Sequence, residues 1–122
     1  MPAKILIVED YPNNRQLLKD VLEHHGYTVL ESANGADGLK IAKADRPDLI
    51  LLDIQMPFLD GYEVLRRLRE DPELADIKVV AVTSFAMKGD REKAFAAGFS
   101  GHWTKPLDIK ILPAEVKKLL GP

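Results

Sequence analysis

In the segment LILLDIQMP, Leu49 to Pro57, four apolar residues in succession are followed at once by an aspartate, Asp53. A run of this length fits a strand covered on both faces, as in a parallel sheet. An ionised carboxylate at its end must reach water or be paired, because an isolated charge in apolar surroundings is costly. Partners for Asp53 therefore have to come from elsewhere in the chain.

Working outward from this run, strand-type stretches recur at Ile5–Val8, Thr28–Leu30 and Val79–Val82, with a weaker one at His102–Thr104. Helical spacing fills the gaps. Leu17, Leu18, Val21 and Leu22 mark a first helix, with Gly26 following as its C′ residue. Leu39, Ile41 and Ala42 mark a second. Val64, Leu65 and Leu68 mark a third, opened by Asp60-Gly61 and closed before Pro72. Ala94, Phe95 and Ala97 mark a fourth, ended by Gly98, and Val116, Leu119 and Leu120 a fifth. Pro113 falls inside this last pattern, so either the helix starts there or its first turn is distorted.

Regular alternation of strand and helix predicts an α/β fold, a parallel sheet with helices on both faces. Ligands of such sheets sit outside the carboxyl ends of the strands. The residues at those ends are Glu9 and Asp10 after the first run, Asp53 after the third, Thr83 after the fourth and Lys105 after the fifth. Each alone has an ordinary structural explanation: a cap, a turn, a β-branched strand end or a solvated charge. Four strand ends of one sheet supplying them together makes chance a poor explanation.

Composition narrows the alternatives. The chain has 122 residues, enough for one domain, taken as 1–122. A chain of this size buries roughly 65% of its unfolded surface, so a real core is available. With 17 basic and 19 acidic residues the net charge is −2, which argues against a nucleic-acid or anionic-membrane binder. There is no cysteine, hence no disulfide and no thiolate metal site. No apolar run is long enough to span a bilayer, and the N-terminus lacks a signal-peptide pattern. A cytoplasmic location is the expectation.

Three clustered carboxylates repel one another unless a cation neutralises them. A hard divalent ion, Mg²⁺ above all, suits carboxylates together with water and a phosphate. Lys105 adds an ammonium able to meet a phosphoryl oxygen, and Thr83 adds a hydroxyl. A carboxylate nucleophile, a metal, an ammonium and a hydroxyl together make an apparatus for phosphoryl transfer to Asp53.

At this point the sequence resembles the receiver domain of bacterial two-component response regulators. The resemblance covers essentially the whole chain and rests on ILIVED (5–10), PDLILLDIQMPFLDGYEVLRRLR (47–69) and VVAVTSFAMKGDREKAFAAGFSGHWTKPL (79–107). It implies a flavodoxin-like doubly wound (βα)5 fold, a five-stranded parallel sheet of order 2-1-3-4-5. It implies Asp53 as phosphoacceptor, with Mg²⁺ held by Asp10, by Glu9 through water, by Asp53 and by the backbone carbonyl of Gln55. Thr83 resembles the switch hydroxyl and Lys105 the lysine beside the phosphoryl group, with a cis Lys105-Pro106 bond. The donor would be a phosphohistidine on a sensor histidine kinase or a histidine phosphotransfer protein. Phosphorylation would shift populations and bias the face formed by the fourth helix, fifth strand and fifth helix toward a downstream protein partner. The resemblance implies that the chain itself is a phosphoacceptor that assists its own phosphorylation and dephosphorylation, rather than an enzyme acting on a separate substrate.

Three positions depart from or tune this pattern. His102 stands where an aromatic switch residue is usual. Gln55, two after the acceptor, and Phe85, two after Thr83, are the positions that set phosphoryl lifetime; the bulk of Phe85 suggests slow hydrolysis. His24 and His25 are adjacent near a helix end and are expected at the surface. The chain runs from Met1 to Pro122 with no DNA-binding or enzymatic output domain, so a single-domain regulator is the expectation. A receiver excised from a hybrid histidine kinase and a phosphorylation-independent binding module are the alternatives. An aspartate-nucleophile phosphatase of the haloacid dehalogenase type is disfavoured, because Gln55 stands where its second acid is needed.

Overall fold

The computed structural model describes residues 2–56, 60–84 and 87–121. Strands and helices alternate as β1 (Lys4–Val8), α1 (Pro12–His24), β2 (Thr28–Ser32), α2 (Gly35–Asp45), β3 (Leu49–Asp53), α3 (Gly61–Glu70), β4 (Lys78–Thr83), α4 (Asp90–Ala97), β5 (Gly101–Thr104) and α5 (Leu112–Leu120). The strands form one parallel sheet in the order β2-β1-β3-β4-β5.

Side chains alternate across this sheet with a period of two, and each face has its own core. Leu6, Val8, Ile50, Leu52, Val79 and Ala81 face α2, α3 and α4, meeting Ala42, Val64, Leu65, Leu68 and Ala94. Ile5, Ile7, Leu49, Leu51, Val80 and Val82 face α1 and α5, meeting Leu18, Leu22, Leu112 and Val116. Every residue of β3 is buried, as its uninterrupted apolar run requires.

This two-sided packing positions the site. The helix after β1 lies on one face and the helix after β3 on the other, although the two strands are neighbours. Chain leaving β1 and chain leaving β3 therefore diverge, opening a crevice at their carboxyl ends.

Local chemistry sets the helix ends. Asp60 accepts hydrogen bonds from Tyr62 N and Glu63 N and caps α3, while Asn34 accepts from Asp37 N and caps α2. Gly26 follows the C-cap of α1 with φ +90°, and Gly98 ends α4 at φ +111°, conformations that a side chain disfavours. Pro113 lies in the first two positions of α5, where its missing N–H costs nothing, so the helix starts there undistorted.

Three expected core positions, Leu17, Phe95 and Ala97, face water instead. Leu17 is exposed, and Phe95 is 42% exposed with the Arg91 guanidinium 5.0 Å above its ring. The inward aromatic is Phe99, which meets Tyr62 edge-on at 5.4 Å. Arg69 was not singled out by its helical spacing, yet it fastens three segments. Its Nη1 donates to the carbonyls of Ala75 (3.0 Å) and Ile77 (2.6 Å), and its Nη2 to that of Gly98 (3.0 Å).

Candidate functional site

The crevice gathers the polar residues at the strand ends. Glu9 follows β1 and is 2% exposed. Its position is fixed from both sides of its backbone: Glu9 N donates to Ser32 O at 3.0 Å, and Arg15 Nη1 donates to Glu9 O at 2.8 Å. Arg15 is itself held by Glu31 on β2, with 3.4 Å between Nε and Oε1. Tyr11 N donates to Glu9 Oε2 at 3.2 Å, which turns the carboxylate back over the start of α1. Tyr11, and not Asp10, occupies the N-cap of α1, leaving Asp10 exposed and available to the crevice.

Asp53 ends β3 and is 5% exposed. Its Oδ1 accepts from Gln55 N at 2.8 Å, and its Oδ2 lies 3.1 Å from Lys105 Nζ. Lys105 Nζ also lies 2.5 Å from Glu9 Oε1. The backbone of Lys105 is held in register by a hydrogen bond from its N–H to Thr83 O at 2.7 Å, and its bond to Pro106 is cis. Thr83 ends β4, opposite Thr104, and is buried. Carboxylate oxygens of Glu9, Asp10 and Asp53 all fall within 4.8 Å of one another.

Electrostatics follow from this crowding. Burial raises the pKa of Glu9, and sharing a site with Asp53 raises it further against the pull of the Lys105 ammonium. For Lys105, burial pulls the other way, but the carboxylates of Glu9 and Asp53 outweigh it and hold the pKa above its ordinary value. The site thus holds excess negative charge that one ammonium does not fully balance. Hard oxygen donors in that number and sign suit a magnesium-type ion.

Of the five residues expected at the strand ends, Glu9, Asp10, Asp53 and Lys105 converge here, and Thr83 ends the neighbouring strand β4 with its carbonyl on Lys105 N. Gln55 is beside them and exposed, with its side-chain Oε1 accepting from Ser84 N at 2.6 Å. That contact, like the Arg15 brace, had no sequence signal beyond proximity to the motifs. His102 is buried on β5, and its Nε2 has no hydrogen-bond partner among the described residues. Phe85 lies outside the described residues. His24 and His25 are exposed, with rings 5.3 Å apart.

Comparison with known proteins gives consistent matches. Residues 5–117 match the family described as response regulator receiver domain. Over 121 residues the chain is 42% identical to the polar-differentiation response regulator DivK of Brucella anthropi, covering 99% of this chain and 98% of that relative. The receiver domain of sensor histidine kinase PA1611 from Pseudomonas aeruginosa, crystallised with a magnesium ion coordinated in its active site cleft, superposes with a TM-score of 0.90 at 32% identity and full coverage of both chains. The chemotaxis protein CheY4 of Vibrio cholerae gives a TM-score of 0.91 at 26% identity, covering 98% of this chain and 99% of that one.

Proposed function

The chain belongs to the response regulator receiver domain family, and from that premise we propose that Asp53 accepts a phosphoryl group from a phosphohistidine on a sensor histidine kinase or a histidine phosphotransfer protein. The observation that carries this reading is the convergence of Glu9, Asp10 and Asp53 within 4.8 Å, with Lys105 bridging two of them.

In the transfer an Asp53 carboxylate oxygen attacks phosphorus, the phosphorus–nitrogen bond breaks, and the imidazole leaves as the neutral base after taking up a proton. Lys105 meets the transferring oxygens with its ammonium, and Thr83 offers its hydroxyl. Asp10, Asp53, the Gln55 carbonyl and, through water, Glu9 would hold Mg²⁺. When bound, that ion neutralises charge on the transferring group. The Pseudomonas relative with magnesium in its cleft supports this assignment. Gln55 and Phe85 tune the lifetime of the acyl phosphate, and the bulk of Phe85 lengthens it.

Signal output then follows as a population shift. Thr83 moves onto the phosphoryl group, His102 takes the place of the usual aromatic partner, and the face of α4, β5 and α5 changes its affinity for a downstream protein. Residues 1–122 act as one cytoplasmic receiver unit that makes no direct contact with nucleic acid or membrane and turns over no separate substrate. Among the described residues no helix is long and apolar enough to cross a membrane.

Intact-mass spectrometry after incubation with acetyl phosphate and Mg²⁺ tests the assignment. One added phosphoryl mass that needs Mg²⁺ and disappears in Asp53→Asn is expected. A folded protein that gains nothing, or a gain that survives the substitution, would overturn it.

A further inference from the structure

Gln55 is held at both ends across the rim of the crevice. Its N–H donates to Asp53 Oδ1 at 2.8 Å, and its Oε1 accepts the backbone N–H of Ser84 at 2.6 Å. Ser84 directly follows β4, and Ile54 N donates to Val82 O at 3.1 Å, so the exits of β3 and β4 are stitched side by side. The Ser84 N–H is therefore a main-chain donor at the exit of β4, next to the β3 exit that carries Asp53, and it is exposed, so Gln55 holds a position that water or another acceptor can take.

We propose that the Gln55 carboxamide is a displaceable stopper, seated on the Ser84 N–H while Asp53 is free and expelled when a phosphoryl oxygen takes that donor. The inference rests on the reading of Asp53 as phosphoacceptor. The exchange is directional, because an ionised oxygen accepts a hydrogen bond roughly twice as strong as a neutral one. Gln55 is already exposed, so its released carboxamide is hydrated at little cost. Loading the acceptor also cuts the side-chain link between the β3 and β4 exits. Gln55 is in this sense a positioning residue: it sets when the Ser84 donor is available.

Two variants separate this role from simple bracing. Gln55→Met keeps the side-chain length without the acceptor, and Gln55→Glu keeps an acceptor oxygen. The probe is trifluoroberyllate, a phosphoryl mimic, added with Mg²⁺ and followed by amide NMR. In the free protein, Ser84 amide exchange should accelerate at least roughly tenfold in Gln55→Met and stay protected in Gln55→Glu. Apparent affinity for trifluoroberyllate should tighten about fivefold in Gln55→Met, the worth of one neutral hydrogen bond no longer broken, with no tightening in Gln55→Glu. Wild-type binding with an unchanged or weakened Gln55→Met overturns the inference alone. No binding by wild type under Mg²⁺ overturns the reading of Asp53 and the inference with it.

Discussion

Lys105 Nζ lies 2.5 Å from Glu9 Oε1 although β3 and β4 run between their strands. Lys105 leaves the sheet at its edge and reaches across to the exit of β1, touching Asp53 at 3.1 Å on the way. One ammonium thus holds two carboxylates that would otherwise repel across the crevice.

Removing it should be felt in stability as well as in chemistry. Deleting one partner of a fully buried ion pair costs about 3–5 kcal/mol. The Lys105 side chain is 16% exposed, so Lys105→Met is expected to cost about 1–3 kcal/mol in the absence of divalent ions. Mg²⁺ should restore part of the loss by binding the folded state. Urea unfolding with and without Mg²⁺ measures both. A variant as stable as the parent in metal-free buffer would refute the bridging role.

The same contact gives a pH dependence with a definite sign. The folded-state pKa of Lys105 lies above 10.5, because the Glu9 and Asp53 carboxylates outweigh burial. Its contribution to stability is therefore complete below pH 10.5 and is lost as pH rises through the higher folded value. Subtracting the unfolding free energy of Lys105→Met from that of the parent isolates this contribution. The difference should be flat from neutral pH up to pH 10.5 and shrink above it. A difference that grows in alkali would contradict the assignment.

Gly61 offers a test of how the end of β3 is supported. A Cβ at this position would lie 2.5 Å from Ile54 Cγ2 and 2.6 Å from Ile54 Cα, and Ile54 directly follows Asp53. Alanine normally gains about 1 kcal/mol over glycine inside a helix. Here the clash is with backbone, and overpacking costs of about 1–3 kcal/mol should outweigh that gain. Gly61→Ala is expected to be less stable than the parent and slower to take up phosphate from acetyl phosphate, the second read by intact mass. Stabilisation would mean that Ile54 yields freely.

His102 carries a buried Nε2 without a hydrogen-bond partner among the described residues. An unmet buried polar atom costs about 1–3 kcal/mol. Replacing the ring by one with no polar atom, His102→Phe, should raise stability by about 1 kcal/mol once the extra ring volume is accommodated. Thermal unfolding at neutral pH checks the sign. Destabilisation would show that the imidazole fits its pocket better than its orphaned nitrogen implies.

The fold was legible because its strongest signal is redundant. Four apolar runs each sit in a sheet whose faces are both covered, so periodicity alone found them, and the strands only extend by a residue or two into polar ends such as Lys4, Ser32, Lys78 and Thr83. The placement of the strand-end residues was legible for a related reason: strand ends in a parallel sheet fall at one edge, so residues far apart in the chain could be named together. α4 was read less well. Only Ala94 of its three marked residues is buried, because the helix is short and the apolar anchor, Phe99, lies beyond its end. The contacts of Gln55 and Arg69 were invisible for a different reason. Both are polar side chains whose partners are main-chain groups, and a sequence records no side-chain identity for such a partner.

The three carbonyls gripped by Arg69 give α4 two unlike ends. Its C-terminal turn is moored through Gly98 O, while its N-terminal end is entered through Gly89 at φ +91° with no side-chain cap. A tilt of such a helix about Gly98 would displace the Asp90 end most. Eight residues at 1.5 Å each make an arm of roughly 12 Å, so a tilt of about 10° sweeps the Asp90 tip by roughly 2 Å while the Gly98 end stays in place. The tip is the end that joins the segment following Thr83. A displacement entering at the Asp90 end would thereby be larger than the one felt at Gly98, and the length of the arm, fixed by Arg69, sets the ratio.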